Sequence, residues 1–203
     1  MTEAVEAVLA GYAATATPDL IARFDAIAPT LLYRPVIDLF PGAPSRVVDI
    51  GAGTGRDAAW LAAQGHEVLA VEPVAALREA GEALHRDAGI NWSDDRLPAL
   101  GRTRGPFDLI LLSAVWHHLP DAMRITAMMR LAEIAAPGAI AILSLRHGAA
   151  SPDRPVHPVA PEVTIGEAAA AGLRLLRRVE AQSVQKGNQA NGVTWTWLAL
   201  TKD

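Results

Sequence analysis

The stretch RVVDIGAGTGRD, residues 46–57, places a short apolar run directly before three closely spaced glycines. Glycine lacks a Cβ atom, so it adopts positive φ angles and lets another group approach the backbone closely. A buried strand that ends in such a loop is typical of α/β proteins that bind ligands at the ends of their strands. The stretch therefore predicts a strand over 46–50 followed by a ligand-binding loop.

Three more apolar runs follow, at residues 67–71, 107–112 and 139–145. Their apolar residues are nearly continuous rather than alternating, which favours strands buried on both faces of a parallel sheet. The segments between the runs have helical character and end near Gly65, Gly89 and Pro137-Gly138. Alternating strands and helices predict right-handed βαβ units.

The remaining segments complete this plan. We expect a weaker strand around 89–92, a loop over 147–161, and a helix that a Thr164–Glu167 capping box opens. The last two apolar segments flank the polar turn QKGNQAN, which is too short for a helix, so they predict a hairpin. Near the N-terminus, Thr17-Pro18-Asp19 predicts a helix start. We expect residues 1–42 to form a helical cap over the ligand edge of a core that spans 43–203.

Composition excludes several classes of protein. The chain has 203 residues, 51% of them hydrophobic, which suits a single domain. Its net charge is −4 without a long basic block, so we expect no nucleic-acid partner. The absence of cysteine excludes thiolate metal sites and a cysteine nucleophile. We expect neither a signal peptide nor a membrane span, and hence a cytoplasmic location.

The spacing of the glycines distinguishes between cofactors. Gly51, Gly53 and Gly55 form a G-x-G-x-G pattern, whereas a dinucleotide fingerprint would need its third glycine at Arg56. Asp49 stands two residues before the first glycine, and its carboxylate would repel a pyrophosphate. A carboxylate there suits an ammonium group instead. The pattern favours a cofactor with a positively charged amino-acid end over NAD.

An acidic residue also ends the second predicted strand. Glu72 is placed to accept hydrogen bonds from the two hydroxyls of a ribose. Pro73 follows, and its small apolar surface suits an adenine face. After the third strand, either Asp94 or Asp95 could accept from an adenine amino group, and the sequence leaves that choice open.

In this order and spacing, the motifs over about residues 46–146 resemble those of class I S-adenosylmethionine-dependent methyltransferases, in particular the small-molecule enzymes of the type 11/12 group. VVDIGAGTG is similar to their cofactor loop, VEP to the ribose acid, and FDLILLSAVWHHLPD to their fourth motif. The resemblance implies a Rossmann-like α/β fold: a seven-stranded, mostly parallel sheet with an antiparallel last strand, helices on both faces, and the helical cap. It implies S-adenosyl-L-methionine as cofactor, no metal, and these cofactor-binding residues: Asp49, Gly51, Ala52, Gly53, Gly55, Glu72, Pro73, Asp94, Asp95, Ser113 and Tyr12.

Within this resemblance, the segment after the fourth strand lacks the Asn/Asp-Pro-Pro-Tyr motif of amino-group methylases and the aspartate of metal-assisted enzymes. The resemblance therefore implies metal-independent methyl transfer to oxygen, nitrogen or carbon of a small molecule. The adjacent residues His117 and His118 cannot both face one site, since neighbours on a helix point about 100° apart. We place the catalytic base on His117 and expect His118 to hold the loop. Substrate-binding candidates are Trp116, Arg146 and His147. The alternatives are an NAD(P)-dependent reductase and a non-catalytic protein that binds S-adenosylmethionine. The oligomeric state is left open.

Overall fold

The computed structural model describes residues 3–149 and 154–203, and seven strands form one sheet. The four predicted apolar runs and the weaker segment all become strands. Their bounds are β1 (Arg46–Ile50), β2 (Glu67–Val71), β3 (Asn91–Ser93), β4 (Phe107–Leu112), β5 (Ala135–His147), β6 (Leu173–Gln182) and β7 (Thr194–Lys202).

The strand order is β3-β2-β1-β4-β5-β7-β6. The first five strands pair in parallel, and β7 is antiparallel to both β5 and β6. The predicted mostly parallel sheet with an antiparallel last strand is therefore confirmed. The antiparallel direction follows from the short β6–β7 connection, which can form a hairpin but not a crossover.

Helices cover both faces of the sheet. Their bounds are α1 (Glu3–Thr15), α2 (Pro18–Asp25), α3 (Pro29–Leu32), α4 (Arg56–Ala62), α5 (Ala75–Leu84), α6 (Asp121–Ile134), α7 (Pro161–Ala170) and α8 (Lys186–Ala190), with 3₁₀ turns at Ile37–Leu39 and Trp116–His118. One hydrophobic core joins the sheet to α6 and α7, and a second joins the opposite face to α4. Strand β4 contributes Ile110 to the first and Leu109 to the second, so both faces of that strand are buried.

Two local predictions are wrong. Helix α7 begins at Pro161 with Ala160 as its N-cap, so Thr164 lies inside the helix and donates its hydroxyl to the Ala160 carbonyl at 3.4 Å. Proline suits the first helical position because its φ is fixed near the helical value, and it displaces the start that the capping box predicted. The β6–β7 connection also holds a helix, the five-residue α8, which a hydrogen bond from Asn188 Nδ2 to Gln185 Oε1 braces at 2.9 Å.

The N-terminal segment forms three short helices. Thr17 caps α2 by accepting a hydrogen bond from the Leu20 N–H at 3.3 Å, which confirms the predicted helix start. Tyr33 and Val36 are fully buried in the core beneath α4. The division into a cap and a core at residue 42 stays a prediction, since these two side chains join the core. Over the described ranges, each helix is too short or too polar to cross a membrane.

Candidate functional site

A cavity of about 840 Å³ lies at the carboxyl ends of β1, β2 and β4. The residues that follow these three strands, including Gly51, Glu72 and Ser113, form its floor. Tyr12 of α1 is one of several cap side chains that form the roof, and Trp195 belongs to a wall built by β6, β7 and α8. This is where open α/β sheets bind ligands, because the loops diverge at the strand ends.

The three glycines of the loop differ in what a side chain at each position would contact. All have positive φ, at 73° for Gly51, 58° for Gly53 and 77° for Gly55. A Cβ on Gly55 would lie 2.6 Å from the Trp92 ring, whereas a Cβ on Gly53 would have no protein atom within 4 Å. Gly51, Ala52 and Gly53 line the cavity and Gly55 does not. The structure therefore does not bring Gly55 to the cavity surface, and this glycine makes room for a tryptophan.

Glu72 lines the cavity at the end of β2, as do its neighbours Pro73 and Val74. Its carboxylate accepts hydrogen bonds from the Gly53 N–H at 2.8 Å and from the Val74 N–H at 2.7 Å. Each oxygen keeps a second lone pair for a ligand hydroxyl. Burial raises the pKa of Glu72, and these two hydrogen bonds oppose the rise.

The two acids proposed for adenine differ in position. Asp95 lines the cavity, but its carboxylate accepts from the Arg96, Arg102 and Thr103 N–H groups and from the Thr103 hydroxyl, at 2.8–2.9 Å. Asp94 does not line the cavity and lies 3.7 Å from Arg78. The structure therefore does not bring Asp94 to the site. Asp95 mainly shapes the loop that follows β3.

A buried ionic cluster behind the loop was not predicted. Arg56 donates to both carboxylate oxygens of Asp57 at 2.7–2.8 Å, and the Tyr33 hydroxyl donates to Asp57 at 2.7 Å. Arg56 also donates to the Phe24 carbonyl in the cap at 2.9 Å. Consecutive residues of a helix do not normally face each other, so the adjacent letters Arg and Asp give no signal of this pair.

Asp49 lies beside this cluster rather than on the cavity surface. It is 2% exposed, and its Oδ2 has no hydrogen-bond partner. Burial and the nearby Asp57 carboxylate hold the pKa of Asp49 well above its usual range, while the Arg56 charge opposes them and Glu72 adds to the rise. Three buried carboxyl groups thus surround the loop, together with the guanidinium groups of Arg56 and of Arg78, which donates to the Glu72 carbonyl at 2.7 Å. The acids outnumber the arginines by one, and a cationic ligand would stabilise the ionised forms of Asp49 and Glu72.

At the other end of the cavity, α1 meets the turn after β4. The Tyr12 hydroxyl lies 3.0 Å from His118 Nε2, and His118 Nδ1 lies 2.9 Å from the Pro155 carbonyl oxygen. A carbonyl oxygen can only accept, so Nδ1 carries the hydrogen and Nε2 of the neutral ring accepts from Tyr12. Burial lowers the pKa of His118 and raises that of Tyr12. Both side chains line the cavity.

The placement expected for His117 is wrong. His117 is 3% exposed and does not line the cavity. Its burial is the main reason that its pKa lies well below the usual range, and the charge of His118 lowers the pKa further. Trp116 is fully buried in the core with α6, so it does not shape the cavity either. The tight 3₁₀ turn directs these two side chains inward and leaves His118 at the surface of the cavity.

The other substrate candidates lie beside the cavity. Arg146 donates to the Gly148 carbonyl at 3.1 Å, and His147 Nε2 lies 2.8 Å from the Thr196 hydroxyl. Neither lines the main cavity, and His147 lines a smaller recess on the outer side of β6 and β7. In their place the cavity has Trp195 and Trp197, together with polar side chains near α8 such as Gln185 and Gln189. The period-two spacing of Trp195 and Trp197 predicts that they share one face of the last strand and pack there, and no sequence pattern marked that face as a cavity wall.

The next feature is the arrangement of side chains that could bind a metal ion. Within residues 3–149 and 154–203, no group of three or more His, Asp or Glu side chains is arranged to hold a metal ion. The expectation of a metal-independent site stays a prediction.

The sheet order, the antiparallel β7, the glycine loop and the acid at the end of β2 together define an α/β protein with a nucleoside-type cofactor site. Residues 23–192 match the methyltransferase domain family. The chain belongs to this family.

The individual proteins that resemble this chain do so over part of their length or at low sequence identity. A protein-L-isoaspartate O-methyltransferase of Methylorubrum extorquens is 38% identical over 100 residues, which cover 42% of this chain and 38% of that protein. The chain thus matches less than half the length of this curated relative. A Burkholderia thailandensis 1,6-didemethyltoxoflavin-N1-methyltransferase, solved with 1,6-didemethyltoxoflavin and S-adenosylhomocysteine, has a TM-score of 0.74 at 20% identity, covering 98% of this chain and 88% of that chain. A Haemonchus contortus phosphoethanolamine N-methyltransferase 2, solved with phosphomonomethylethanolamine and S-adenosylhomocysteine, has a TM-score of 0.71 at 16% identity. The match covers 100% of this chain and 60% of that chain.

Proposed function

We propose that this chain binds S-adenosylmethionine in the cavity and transfers its methyl group to a small-molecule acceptor. The observation that carries the proposal is the cluster of buried acids around the glycine loop, where Asp49, Asp57 and Glu72 outnumber Arg56 and Arg78. The cofactor has a sulfonium and an ammonium group, and both suit this cluster. When bound, it supplies an electrophilic methyl group.

The residues present fit this cofactor. The unpartnered Oδ2 of Asp49 provides a buried acceptor close to the loop, and the open space at Gly53 lets a ligand approach the backbone. Glu72 retains lone pairs for the ribose hydroxyls. Val74 and Leu97 give the cavity an apolar surface that suits an adenine ring. We assign the amino-acid end to the Asp49 side of the loop and the nucleoside to the Glu72 side.

We place proton transfer on the Tyr12–His118 pair instead of His117. An acceptor hydroxyl or ammonium would pass its proton to the Tyr12 oxygen, while the Tyr12 proton moves to His118 Nε2. The Pro155 carbonyl holds the hydrogen on Nδ1 and so keeps Nε2 ready to accept. A base in this position typically contributes about 10²–10⁴-fold to the rate.

The shape of the cavity favours a small acceptor. Its volume of about 840 Å³ lies within the range of roughly 300–1,000 Å³ that small-molecule sites occupy. Cap residues roof it, which leaves little room for a folded protein substrate, although the curated relative is a protein methyltransferase by name. The two structural neighbours named above carry small molecules, which supports the same view. The absence of a nucleic-acid partner and a cytoplasmic location remain part of this proposal.

Calorimetric titration tests cofactor choice. We expect S-adenosylmethionine and S-adenosylhomocysteine to bind and NAD to give no heat beyond dilution, because a dinucleotide would place its pyrophosphate among buried carboxylates. Binding of NAD without S-adenosylmethionine would overturn the proposal in favour of a reductase.

The Glu72→Ala variant tests the ribose assignment. Loss of a charged hydrogen-bond acceptor costs roughly 1.5–3 kcal/mol, or on the order of a ten- to hundredfold loss of affinity. Glu79→Ala, an exposed acid on α5, is the matched control and should bind as the parent does. Equal affinity for the parent and a folded Glu72→Ala variant would remove Glu72 from the site.

A further inference from the structure

Arg154 is a half-buried cation beside the proposed proton acceptor. Its guanidinium carbon lies 5.1 Å from the centre of the Tyr12 ring. Its Nε is buried without a hydrogen-bond partner. Within the described ranges, no carboxylate lies within ion-pair distance of Arg154. A buried charge without an acidic partner is costly, so its contact with Tyr12 calls for an explanation.

The charges that face Tyr12 come from four elements. Arg154 approaches from the segment after β5, Arg146 from β5 itself, Glu72 from the end of β2, and His118 from the 3₁₀ turn. Burial raises the pKa of Tyr12, and the positive charge of Arg154 is the largest influence that opposes the rise. Glu72 adds to the rise, and Arg146 opposes it more weakly than Arg154 does. Arg154 also lowers the pKa of His118.

We propose that Arg154 is a positioning residue that stabilises the negative charge developing on the Tyr12 oxygen, so that Tyr12 takes the acceptor proton while its own proton passes to His118. The proposal rests on the proposed function. The bond from the acceptor atom to its hydrogen breaks and a new Tyr12 O–H bond forms. The original Tyr12 O–H bond breaks and its proton passes to His118 Nε2. Arg154 also disfavours positive charge on His118, so its contribution to this relay is exerted on the Tyr12 oxygen.

The titration of Tyr12 can be measured without an acceptor or a cofactor. The chain has two tyrosines, Tyr12 and Tyr33, so a Tyr33→Phe background leaves one. Incorporation of 3,5-difluorotyrosine lowers the intrinsic pKa into a range where the chain stays folded, and ¹⁹F NMR then follows ionisation at a single residue. We expect Arg154→Gln to raise the pKa of this residue by on the order of one unit, the shift typical of a lost neighbouring charge.

Two variants serve as controls. Arg154→Lys keeps the positive charge and should titrate close to the parent, whereas Arg146→Gln should give a smaller rise than Arg154→Gln. If Arg154→Gln fails to fold, Arg154→Met keeps the apolar stem over the ring and carries the same test. A folded uncharged variant with an unchanged titration would overturn the proposal, as would a lysine variant that shifts as far as the glutamine one. Failure to bind S-adenosylmethionine would instead overturn the proposed function, and calorimetry detects that separately.

Discussion

At the scale of single residues, Gly53 and Gly55 allow packing and binding to be tested apart. Alanine at Gly53 meets no protein atom within 4 Å, so it costs the left-handed backbone strain of about 1–2 kcal/mol and obstructs the cavity. Alanine at Gly55 adds an overlap with Trp92 to a similar strain. We expect Gly53→Ala to weaken S-adenosylhomocysteine binding sharply with a modest fall in melting temperature, and Gly55→Ala to lower the melting temperature more. Calorimetry and thermal unfolding measure the two effects, and the reverse ranking would contradict this account.

Asp49 should contribute to binding at the expense of stability. Its carboxyl has a higher pKa in the folded chain than its ordinary value of 3.8, so folding takes up a proton between the two values. Stability therefore falls as the pH rises through that window. Asp49→Asn removes this dependence, and we expect the variant to exceed the parent in unfolding free energy more at pH 8 than at pH 4. For a chain of this size, each kcal/mol raises the melting temperature by about 2–4 °C.

The same variant should bind S-adenosylmethionine more weakly, since the amide lacks the negative charge that an ammonium favours. Asp87→Asn, which changes an exposed acid, is the control. If the difference in unfolding free energy between variant and parent is the same at pH 4 and pH 8, burial of the Asp49 charge does not destabilise the folded chain.

How far sequence predicts such residues depends on what positions them. Asp49 and Glu72 stand at the ends of strands, where the fold brings them to one edge, so their neighbourhood follows from the order of the segments. His117 and His118 are adjacent in a 3₁₀ turn, and which of them faces the cavity depends on turn geometry that no pattern encodes. Arg154 contacts Tyr12 across more than half of the chain, a contact that packing alone decides.

At the scale of elements, the 3₁₀ turn Trp116–His118 separates His117, which is buried away from the cavity, from His118, which lines it. His117 is buried 5.7 Å from the Trp195 ring, so His117→Ala should cost about 1–3 kcal/mol of unfolding free energy. His118→Ala should lower methyl transfer by about 10²–10⁴-fold with little change in cofactor affinity. Formation of S-adenosylhomocysteine with an identified acceptor measures the second effect. Turnover lost in a stable His117→Ala variant, and kept in His118→Ala, would return the base to His117.

The strands were more predictable than the helix ends. Strands β1, β2 and β4 are buried on both faces, and this gives the continuous apolar runs that mark a parallel sheet. Helix α7 had two competing start signals within four residues, and Pro161 prevailed over Thr164 because a fixed backbone angle outweighs a side-chain cap. Helix α8 is too short to show periodicity, so its existence could not be predicted.

At the scale of the whole molecule, acids are concentrated at one end of the cavity and arginines near the other, although the Glu72 charge also reaches Tyr12. Buried carboxylates lie behind the glycine loop, and Arg146 and Arg154 lie near Tyr12 at the other end. Residues far apart in the chain build both ends, and the cap joins them. Glu6 of α1 lies 3.2 Å from Arg96, and Asp25 of α2 lies 3.1 Å from His85. The cap is therefore tied to the elements that would hold the nucleoside.

This arrangement predicts that a ligand bound at the floor of the cavity slows hydrogen exchange in the helices of the roof. Val8 and Tyr12 line the cavity from α1, and short helices attached by partly exposed ion pairs open with small free energies. Hydrogen exchange measured with and without S-adenosylhomocysteine should therefore slow in α1 and α2 as well as in the glycine loop. Helix α7, which does not line the cavity, is the internal control and should slow only by the general stabilisation of the fold. Protection confined to the glycine loop would mean that the cap does not close over the bound cofactor, and Tyr12 would then have no place in the reaction.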